Sequence, residues 1–242
     1  FLGQKIVLSF GYNNLYCHDA EDPDQLVHLG YTKRGFDVEV NRLLIESDLF
    51  IYLNITQTPF SGGWKSTAVG LGTFRSIRHH HRPWPIASGQ STLDFGKSAF
   101  HKLLWEQGGV IADRLAHDGK RVFQVEAAYS SSTPVRCLGV WAGTPAEAHL
   151  PTIDAVNSAI VTEVEGQADI GVIGVGNTEF YSRLTRINPI LVTQDGLAYG
   201  AMQFQNAPLV RDGGIVILAN PYNSTFDPRR FGPRERASLR NS

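Results

Sequence analysis

The chain has 242 residues, of which 42% are hydrophobic, enough to bury the core of one large α/β domain or two small ones. Its formal net charge of -1 provides no field that would attract nucleic acid or an anionic membrane, so we expect small-molecule ligands. The two cysteines, Cys17 and Cys137, are too few for a disulfide framework, and no apolar run predicts a membrane span or signal peptide; we therefore expect a cytoplasmic protein.

The N-terminal third begins with an apolar, β-branched run at residues 5–10, which predicts a first buried strand. An acidic segment follows at residues 17–24. It offers ligands for a divalent cation but lacks the alternating pattern of a calcium loop, so a solvated turn is the alternative. Residues 29–40 predict two short strands about a glycine turn, and residues 41–47 predict a short helix. The apolar run at 49–55 then predicts a buried strand.

The most informative stretch is residues 58–81, because it begins at the carboxyl end of that strand, where α/β proteins place their chemistry. Gly62 and Gly63 permit positive φ or a close approach of the backbone to a ligand, and Lys65 offers a cation or a nucleophilic amine. A phosphate loop is excluded because Trp64 stands where that motif needs glycine. The stretch therefore predicts an active-site loop, followed by a helix at 73–81.

The middle of the chain predicts alternating helices and strands. Helical periodicity covers residues 96–117 with a break at Gly108-Gly109, and strands are predicted at 121–127 and 135–142. The clearest helix spans 145–163, with Thr144 as N-cap and Glu147 at the capping-box position. The intervening turn at residues 130–134 predicts a domain boundary, with one domain at 1–133 and the other at 134–242.

The last third predicts a buried strand at 167–176, a helix at 190–202 and a final strand within 210–219. Gly171, Gly174 and Gly176 resemble a dinucleotide fingerprint only loosely, since their spacing is not G-x-G-x-x-G. A strand-end turn is the alternative, and nicotinamide-cofactor binding stays open. The predicted class is α/β, with two α/β domains, mostly parallel buried strands and a cleft between the domains.

Runs such as Ser61-Gly62-Gly63-Trp64-Lys65-Ser66, with His81 sixteen residues after Lys65, resemble the nickel-pincer lactate racemase family. In the first domain they are His18-Asp19, Leu29-Gly30-Tyr31-Thr32, Gly35, Val40-Asn41, Ser47-Asp48-Leu49, Pro59, Phe60-Ser61-Gly62-Gly63-Trp64-Lys65-Ser66, Gly70 and His81. In the second they are Ala168-Asp169-Ile170, Asn188-Pro189, Gln194 and Asp212-Gly213-Gly214-Ile215-Val216-Ile217-Leu218. The most specific part is the Ser-Gly-Gly-x-Lys-Ser run with a histidine sixteen residues after the lysine.

The resemblance implies a cofactor and a reaction. In that family a lysine carries a pyridinium-derived nucleotide through a thioamide bond, and a histidine completes a planar nickel site with two sulfurs and a carbon of the cofactor. Lys65 and His81 match those positions, whereas a surface lysine and a helix-end histidine are the plainer readings. The implied activity is racemisation or epimerisation of a 2-hydroxy acid by hydride transfer.

The implied site has three groups of residues. Lys65, His81 and Gln194 are the catalytic candidates, and His81 is also the metal candidate. The cofactor-binding candidates are Ser61, Gly62, Gly63, Lys65 and Ser66. His79 and His80 are expected to face other sides of the same helix and to play no part. The implied partners are a small 2-hydroxy acid and the cofactor-synthesis proteins, with no nucleic acid and no membrane.

Three departures from the family favour an alternative, a non-catalytic or altered member that binds a nucleotide or small acid. Phe60 follows Pro59 where the family has an acid/base histidine, and Leu197 stands where it has a lysine. The family's early phosphate-binding and Thr-His-Arg-Pro segments are also not found in the chain. Because the chain opens at Phe1 and not at Met, we expect a fragment or an altered relative. With Leu197 in place of a cation, we expect a larger or less acidic substrate than lactate, with Arg183 or Arg186 as a substitute cation.

Overall fold

The computed structural model describes residues 4–11, 14–86, 91–176, 178–179, 182–186, 189–201 and 208–221. It divides into two compact units, residues 1–161 and 162–242. This division falls later than the predicted boundary after residue 133, because the strand and helix that follow that turn pack onto the sheet of the first unit. No described helix has the length and apolar character needed to cross a membrane.

The first unit combines short strands with helices of very different length. In chain order its elements are α1 (Gln4–Phe10), a 3₁₀ turn (Pro23–Gln25), β1 (Leu26–Tyr31), β2 (Asp37–Asn41), α2 (Leu43–Glu46), β3 (Phe50–Thr56), α3 (Trp64–Gly70), α4 (Phe74–Ile77), α5 (Pro83–Ile86), α6 (Ala99–His117), β4 (Val122–Tyr129), β5 (Cys137–Gly143) and α7 (Pro145–Ile160). The predicted first strand is wrong: residues 5–10 lie in α1. An apolar run this short fits either two turns of a helix or one strand, and its composition alone does not distinguish the two.

Strand pairing in the first unit is mixed. β1 and β2 form an antiparallel hairpin, β3 and β4 pair in parallel, and β5 pairs antiparallel with β4. The α/β class is therefore confirmed, while antiparallel pairs accompany the parallel ones. The strand predicted to be buried at 49–55 is only half buried, since β3 alternates and exposes Ile51, Leu53 and Ile55 on one side.

The hydrophobic core of the first unit lies between the β1–β2 hairpin, α3 and the long helix α6. Its fully buried members include Val38, Val40, Leu104, Ile111 and Leu115. The predicted break at Gly108-Gly109 does not occur, and α6 runs unbroken for 19 residues. A Cβ atom at Gly108 would lie 2.3 Å from the Trp64 ring, so this glycine permits α3 to approach α6 closely. The glycine therefore reflects packing and not a helix end.

The helix α7 matches its prediction most closely. Thr144 accepts a hydrogen bond from the backbone of Glu147, and the Glu147 side chain accepts one from the Thr144 backbone, which completes the capping box. The helix ends at Ile160, three residues earlier than predicted. It packs on β4 and β5, and its buried residues include His149 and Val156.

The second unit contains a parallel pair, β6 (Ala168–Gly174) with β9 (Val210–Ala219), and an antiparallel pair, β7 (Thr178–Glu179) with β8 (Ser182–Arg186). Between them lie α8 (Pro189–Thr193) and a π-helical segment (Gln194–Ala201). A Cβ atom at Gly171 would lie 2.6 Å from Val210, so packing between β6 and β9 accounts for this glycine. The predicted helix end at Met202 and the matched Asn188 lie outside the described residues.

Candidate active site

The candidate loop follows β3, as predicted, but it ends at Gly63, because residues 64–70 form α3, a helix that the sequence analysis did not predict. Gly62 and Gly63 adopt φ angles of 96° and 55°, a region that side chains rarely occupy. The turn reverses the chain after β3 and starts α3 at Trp64, which places Lys65 in the first turn of that helix. The two glycines are therefore required by the conformation of the turn.

Lys65 lies partly buried against an aromatic ring. Its Nζ atom lies 4.2 Å from the centroid of the Phe60 ring, which is within cation–π distance. Burial nevertheless lowers the pKa of Lys65 to about 8. Relative to an ordinary lysine, this raises the fraction of neutral amine at pH 7 by roughly two orders of magnitude. A larger neutral fraction makes this amine a better nucleophile than that of an ordinary lysine.

His81 presents one ring nitrogen for binding. It follows α4, and its Nδ1 lies 3.2 Å from the carbonyl oxygen of Ile77; because a carbonyl only accepts, Nδ1 carries the proton and Nε2 holds the lone pair. The residue is exposed, but its ring stands edge-on to the Phe100 ring with centroids 5.6 Å apart. This partial enclosure lowers the pKa of His81, as does the charge of Lys65. Lys65 and His81 therefore act on each other electrostatically.

Two buried histidines adjoin this pair. His80 has no exposed surface, and neither of its ring nitrogens has a partner among the described residues. Burial, with the positive charges of His81 and Lys65, lowers the pKa of His80 to about 3. The Nε2–H of His101 donates to the Thr92 carbonyl oxygen at 2.8 Å, and burial lowers the pKa of His101 to about 4. At neutral pH both rings are uncharged.

The structure places His79 and His80, which the sequence analysis treated alike, in two different environments. His79 is part of a separate buried cluster, where its Nε2 lies 3.1 Å from Oδ2 of Asp37 and its ring stacks on Phe36. His80 instead contacts the ring of His81, with centroids 4.7 Å apart, and lies at the candidate site. The prediction that both face away from His81 is therefore wrong for His80. Both residues also follow α4, which ends at Ile77, so the predicted helix does not extend to them.

Two further residues lie beneath the glycine turn and were missed by the sequence analysis. Oε1 of Glu126, on β4, accepts a hydrogen bond of 2.6 Å from the backbone N–H of Gly63. Oε2 of Glu126 lies 3.0 Å from Nδ1 of His149 on α7. A signal did exist in the sequence: β4 alternates, and its inward positions carry Gln124 and Glu126 where apolar residues are usual.

The remaining predicted residues fall in two places. Ser61 and Ser66 flank the glycine turn, and Oγ of Ser66 is buried without a partner among the described residues. Gln194 belongs to the second unit and is exposed at the start of the π-helical segment. Leu197 lies in the same segment and is 43% exposed. The side chains of Arg183 and Arg186 lie outside the described part of the chain.

No group of three or more His, Cys, Asp or Glu side chains suited to a metal ion occurs in the described part of the chain. In the acidic segment at 17–24, Asp19 and Asp22 accept hydrogen bonds from the backbone N–H groups of Glu21 and Asp24, as in an ordinary turn. His81, whose Nδ1 carries the proton, keeps the lone pair on Nε2, which is the form in which an imidazole binds a metal ion.

Comparison with known proteins finds a family match in the part of the chain that contains this site. Residues 1–93 match the lactate racemase N-terminal domain family, and this range contains Lys65 and His81. A search of curated proteins finds no match.

Solved structures share the fold. The chain is similar to the lactate racemase apoprotein from Thermoanaerobacterium thermosaccharolyticum, with 20% identity and a TM-score of 0.61 over 83% of this chain and 44% of that one. It is also similar to the crystal structure of a protein from Thermotoga maritima, with 16% identity and a TM-score of 0.69 over 93% of this chain and 55% of that one. The chain thus spans about half the length of these structures. Residues 1–93 are similar to the lactate racemase N-terminal domain, and the two solved structures share the fold.

Proposed function

The match of residues 1–93 to the lactate racemase N-terminal domain is the premise from which we propose that this protein racemises or epimerises a 2-hydroxy acid. The cofactor would be a nickel-pincer nucleotide, that is, pyridinium-3,5-bisthiocarboxylic acid mononucleotide nickel, linked covalently to Lys65. The observation that carries the proposal is the pairing of two groups at one site: an amine whose pKa burial lowers to about 8, and the His81 imidazole, whose Nε2 holds the lone pair.

The residues at the site fit such a group. The Lys65 amine would form the covalent link, Nε2 of His81 would hold the nickel ion, and the backbone of Gly62 and Gly63 would permit close approach. Ser61 and Ser66 provide hydroxyl groups beside the link. When bound, the cofactor supplies a hydride acceptor. The aromatic rings of Phe60 and Phe100, which lie 5.3 Å apart, keep water from this part of the site.

The overall reaction leaves the composition of the substrate unchanged. The hydroxyl proton and the C2 hydride depart, and the hydride returns to the opposite face of C2 as the oxygen regains its proton. Gln194 is our candidate for a hydrogen bond to the substrate; this role rests on the family resemblance. The proposed partners are a small 2-hydroxy acid and the proteins that make the cofactor. Two free, exposed thiols, Cys17 and Cys137, suit the reducing cytoplasm, where we place the protein.

One observation favours a second candidate function, binding of a nucleotide or small acid without turnover. The buried imidazoles of His80 and His101 have pKa values of about 3 and about 4, far from the neutral range in which general acid/base catalysis is efficient. Phe60 also stands where the family has a histidine. Loss of a positioned acid/base group costs a factor on the order of 10²–10⁴ in rate.

Mass spectrometry of the protein expressed together with the cofactor-synthesis enzymes tests both candidates. We expect an adduct on the peptide that contains Lys65, with nickel in equal amount. Lys65→Arg removes the adduct, whereas Lys102→Arg, a change at an exposed lysine of α6, retains it. An unmodified Lys65 without nickel contradicts the cofactor assignment. Exchange of the C2 hydrogen of a 2-hydroxy acid, lost in His81→Ala, distinguishes turnover from binding alone.

A further inference from the structure

The carboxylate of Glu126 and the imidazole of His149 form a buried pair directly beneath the glycine turn that precedes Lys65. We propose that this pair is a positioning device, which fixes the backbone of Gly62 and Gly63 and through it the place and solvent exposure of the Lys65 amine. The importance of that position for cofactor attachment rests on the function proposed above. The positioning itself is a property of the chain and is testable without any cofactor.

The first support is the set of hydrogen bonds around Glu126. Its Oε1 accepts from the Gly63 backbone at 2.6 Å and from Nδ2 of Asn54 at 3.3 Å, and Nε2 of Gln124 donates to the same oxygen. Its Oε2 accepts from Nδ1 of His149 at 3.0 Å, so this nitrogen carries the proton. A carboxylate that accepts so many hydrogen bonds holds its backbone partner in a defined direction.

The charge state of Glu126 follows from the same contacts. Burial by itself raises the pKa of Glu126, but the hydrogen bonds from His149, Gly63 and Asn54 outweigh burial and hold the pKa below its usual value. The side chain has no exposed surface and remains ionised at neutral pH. The bond from the Gly63 N–H is therefore assisted by a full negative charge, which is stronger than a bond between neutral groups.

The second support is steric. A Cβ atom at Gly62 would lie 2.4 Å from Oε1 of Glu126 and 2.7 Å from Nδ1 of His149. A Cβ atom at Gly63 would lie 2.7 Å from Cδ2 of His149. The backbone of the turn thus rests directly on the two side chains, with no room for another atom. The positive φ angles of both glycines keep this contact.

The third support is a contact made by Trp64, the residue next to the turn. Trp64 lies between the turn and Lys65 in sequence, and its ring packs on α6 at Gly108, where no Cβ would fit. The segment around Lys65 is therefore held by Glu126 and His149 at the turn and by Gly108 at Trp64. Lys65 follows the turn by two residues, so movement of the turn would change the exposure of its amine. That change would alter the pKa of Lys65, because burial is what lowers it.

The position of the pair also argues against a role as simple core filling. Apolar residues of similar volume fill a core at lower cost in desolvation than a buried charge does. Glu126 and His149 are 23 residues apart, on a strand and a helix, and both point at one backbone turn. A buried carboxylate–imidazole pair that converges on the turn before Lys65 is better explained by the order it imposes there.

The test measures the turn and the amine separately. In protein labelled with ¹⁵N-glycine, the Gly63 amide signal reports the bond to Glu126. The pH dependence of Lys65 acylation by a small amine reagent, followed by peptide mass spectrometry, reports the exposure of the amine. We expect Glu126→Gln to move the Gly63 amide proton upfield and to shift the acylation midpoint upward, so that the rate at pH 8 falls about tenfold.

Matched variants separate positioning from general loss of stability. Because the asparagine amide occupies the place of Nδ1 in histidine, His149→Asn retains the donor and should leave both readouts within twofold of wild type, whereas His149→Leu should reproduce Glu126→Gln. Leu115→Ala, a change at a fully buried core residue of α6, should lower thermal stability without moving either readout. If Glu126→Gln does not fold, Asn54→Ala, which removes one donor to Glu126, serves in its place.

Two results would overturn the proposal. One is a folded Glu126→Gln or His149→Leu protein with unchanged Gly63 amide signal and unchanged Lys65 midpoint. The other is an equal shift of both readouts in Leu115→Ala. Failure of the proposed function looks different: Lys65 would then stay unmodified in the wild type expressed with the cofactor-synthesis enzymes, while the Gly63 and acylation measurements would still decide the role of Glu126 and His149.

Discussion

Nε of Arg75 lies 2.7 Å from Oδ1 of Asp37, and this ion pair joins the short helix α4 to the strand β2. Asp37 is buried and also lies 3.2 Å from Nη2 of Arg78 and 3.1 Å from Nε2 of His79. Because α4 leads directly to His80 and His81, the cluster around Asp37 fixes the segment that carries the proposed nickel ligand. A single buried carboxylate thereby connects the stability of the first unit with its candidate site.

The first prediction concerns acid stability. Burial raises the pKa of Asp37, but hydrogen bonds from His79, Arg78 and Arg75 outweigh it and lower the pKa to about 2. A carboxylate whose pKa is lower in the folded state stabilises the fold above its unfolded pKa, so this contribution is complete above about pH 4 and is lost as the pH falls toward 2. We expect a loss of about 2 kcal/mol in the free energy of unfolding over that range.

Denaturant unfolding at several pH values measures this contribution. Asp37→Asn should lower stability at pH 7 and flatten the dependence between pH 4 and 2. Glu106→Gln is the control, because Glu106 pairs with Arg34 near the surface and should cost under about 1 kcal/mol. Equal slopes in wild type and Asp37→Asn would show that Asp37 does not carry the effect.

The second prediction uses two adjacent glycines in α6. Gly108→Ala places a Cβ atom 2.3 Å from the Trp64 ring and should destabilise the protein by about 1–3 kcal/mol, because the rigid ring has to move. Gly109→Ala meets no atom within 4 Å and should stabilise the helix by about 0.5–1 kcal/mol. Thermal unfolding of the two variants compares them directly. Similar melting temperatures for both would contradict the contact between α3 and α6.

The third prediction concerns the reactivity of Lys65. Since burial lowers its pKa to about 8, acylation of Lys65 in the wild type should reach half its maximal rate near pH 8. Exposed Lys97 in the same sample serves as an internal reference for the reagent. Peptide mass spectrometry after brief labelling across a pH series provides the two profiles. If the Lys65 profile has its midpoint above pH 10, the amine is not buried as described.

The fourth prediction concerns substrate choice. The family resemblance places Leu197 where the family has a lysine. A desolvated carboxylate beside leucine would be unfavourable by several kcal/mol unless another cation is near. We expect poor turnover of lactate and better turnover of a larger or less acidic hydroxy compound. A substrate panel compares wild type with Leu197→Lys, and Ile190→Lys, at an exposed site of α8, controls for added charge. Efficient use of lactate by the wild type would refute this prediction.

Local sequence determined the elements whose signals lie within a few residues. The capping box of Thr144 and Glu147 specified the start of α7, and alternating apolar residues specified β4. The glycine turn before Lys65 was predictable as well, since only glycine readily adopts the φ angles at residues 62 and 63. In each case the backbone conformation follows from side chains in the same segment.

Tertiary structure decided the features that depend on distant parts of the chain. Gly63 and Glu126 are 63 residues apart, and no local pattern specifies that the turn would rest on that carboxylate. The burial of His80, the exposure of one side of β3 and the helical state of residues 4–10 likewise depend on which surfaces pack together. Sequence periodicity records which faces are apolar, but only the packed fold determines what covers each face, and burial in turn sets the pKa of Lys65 and of the histidines beside it.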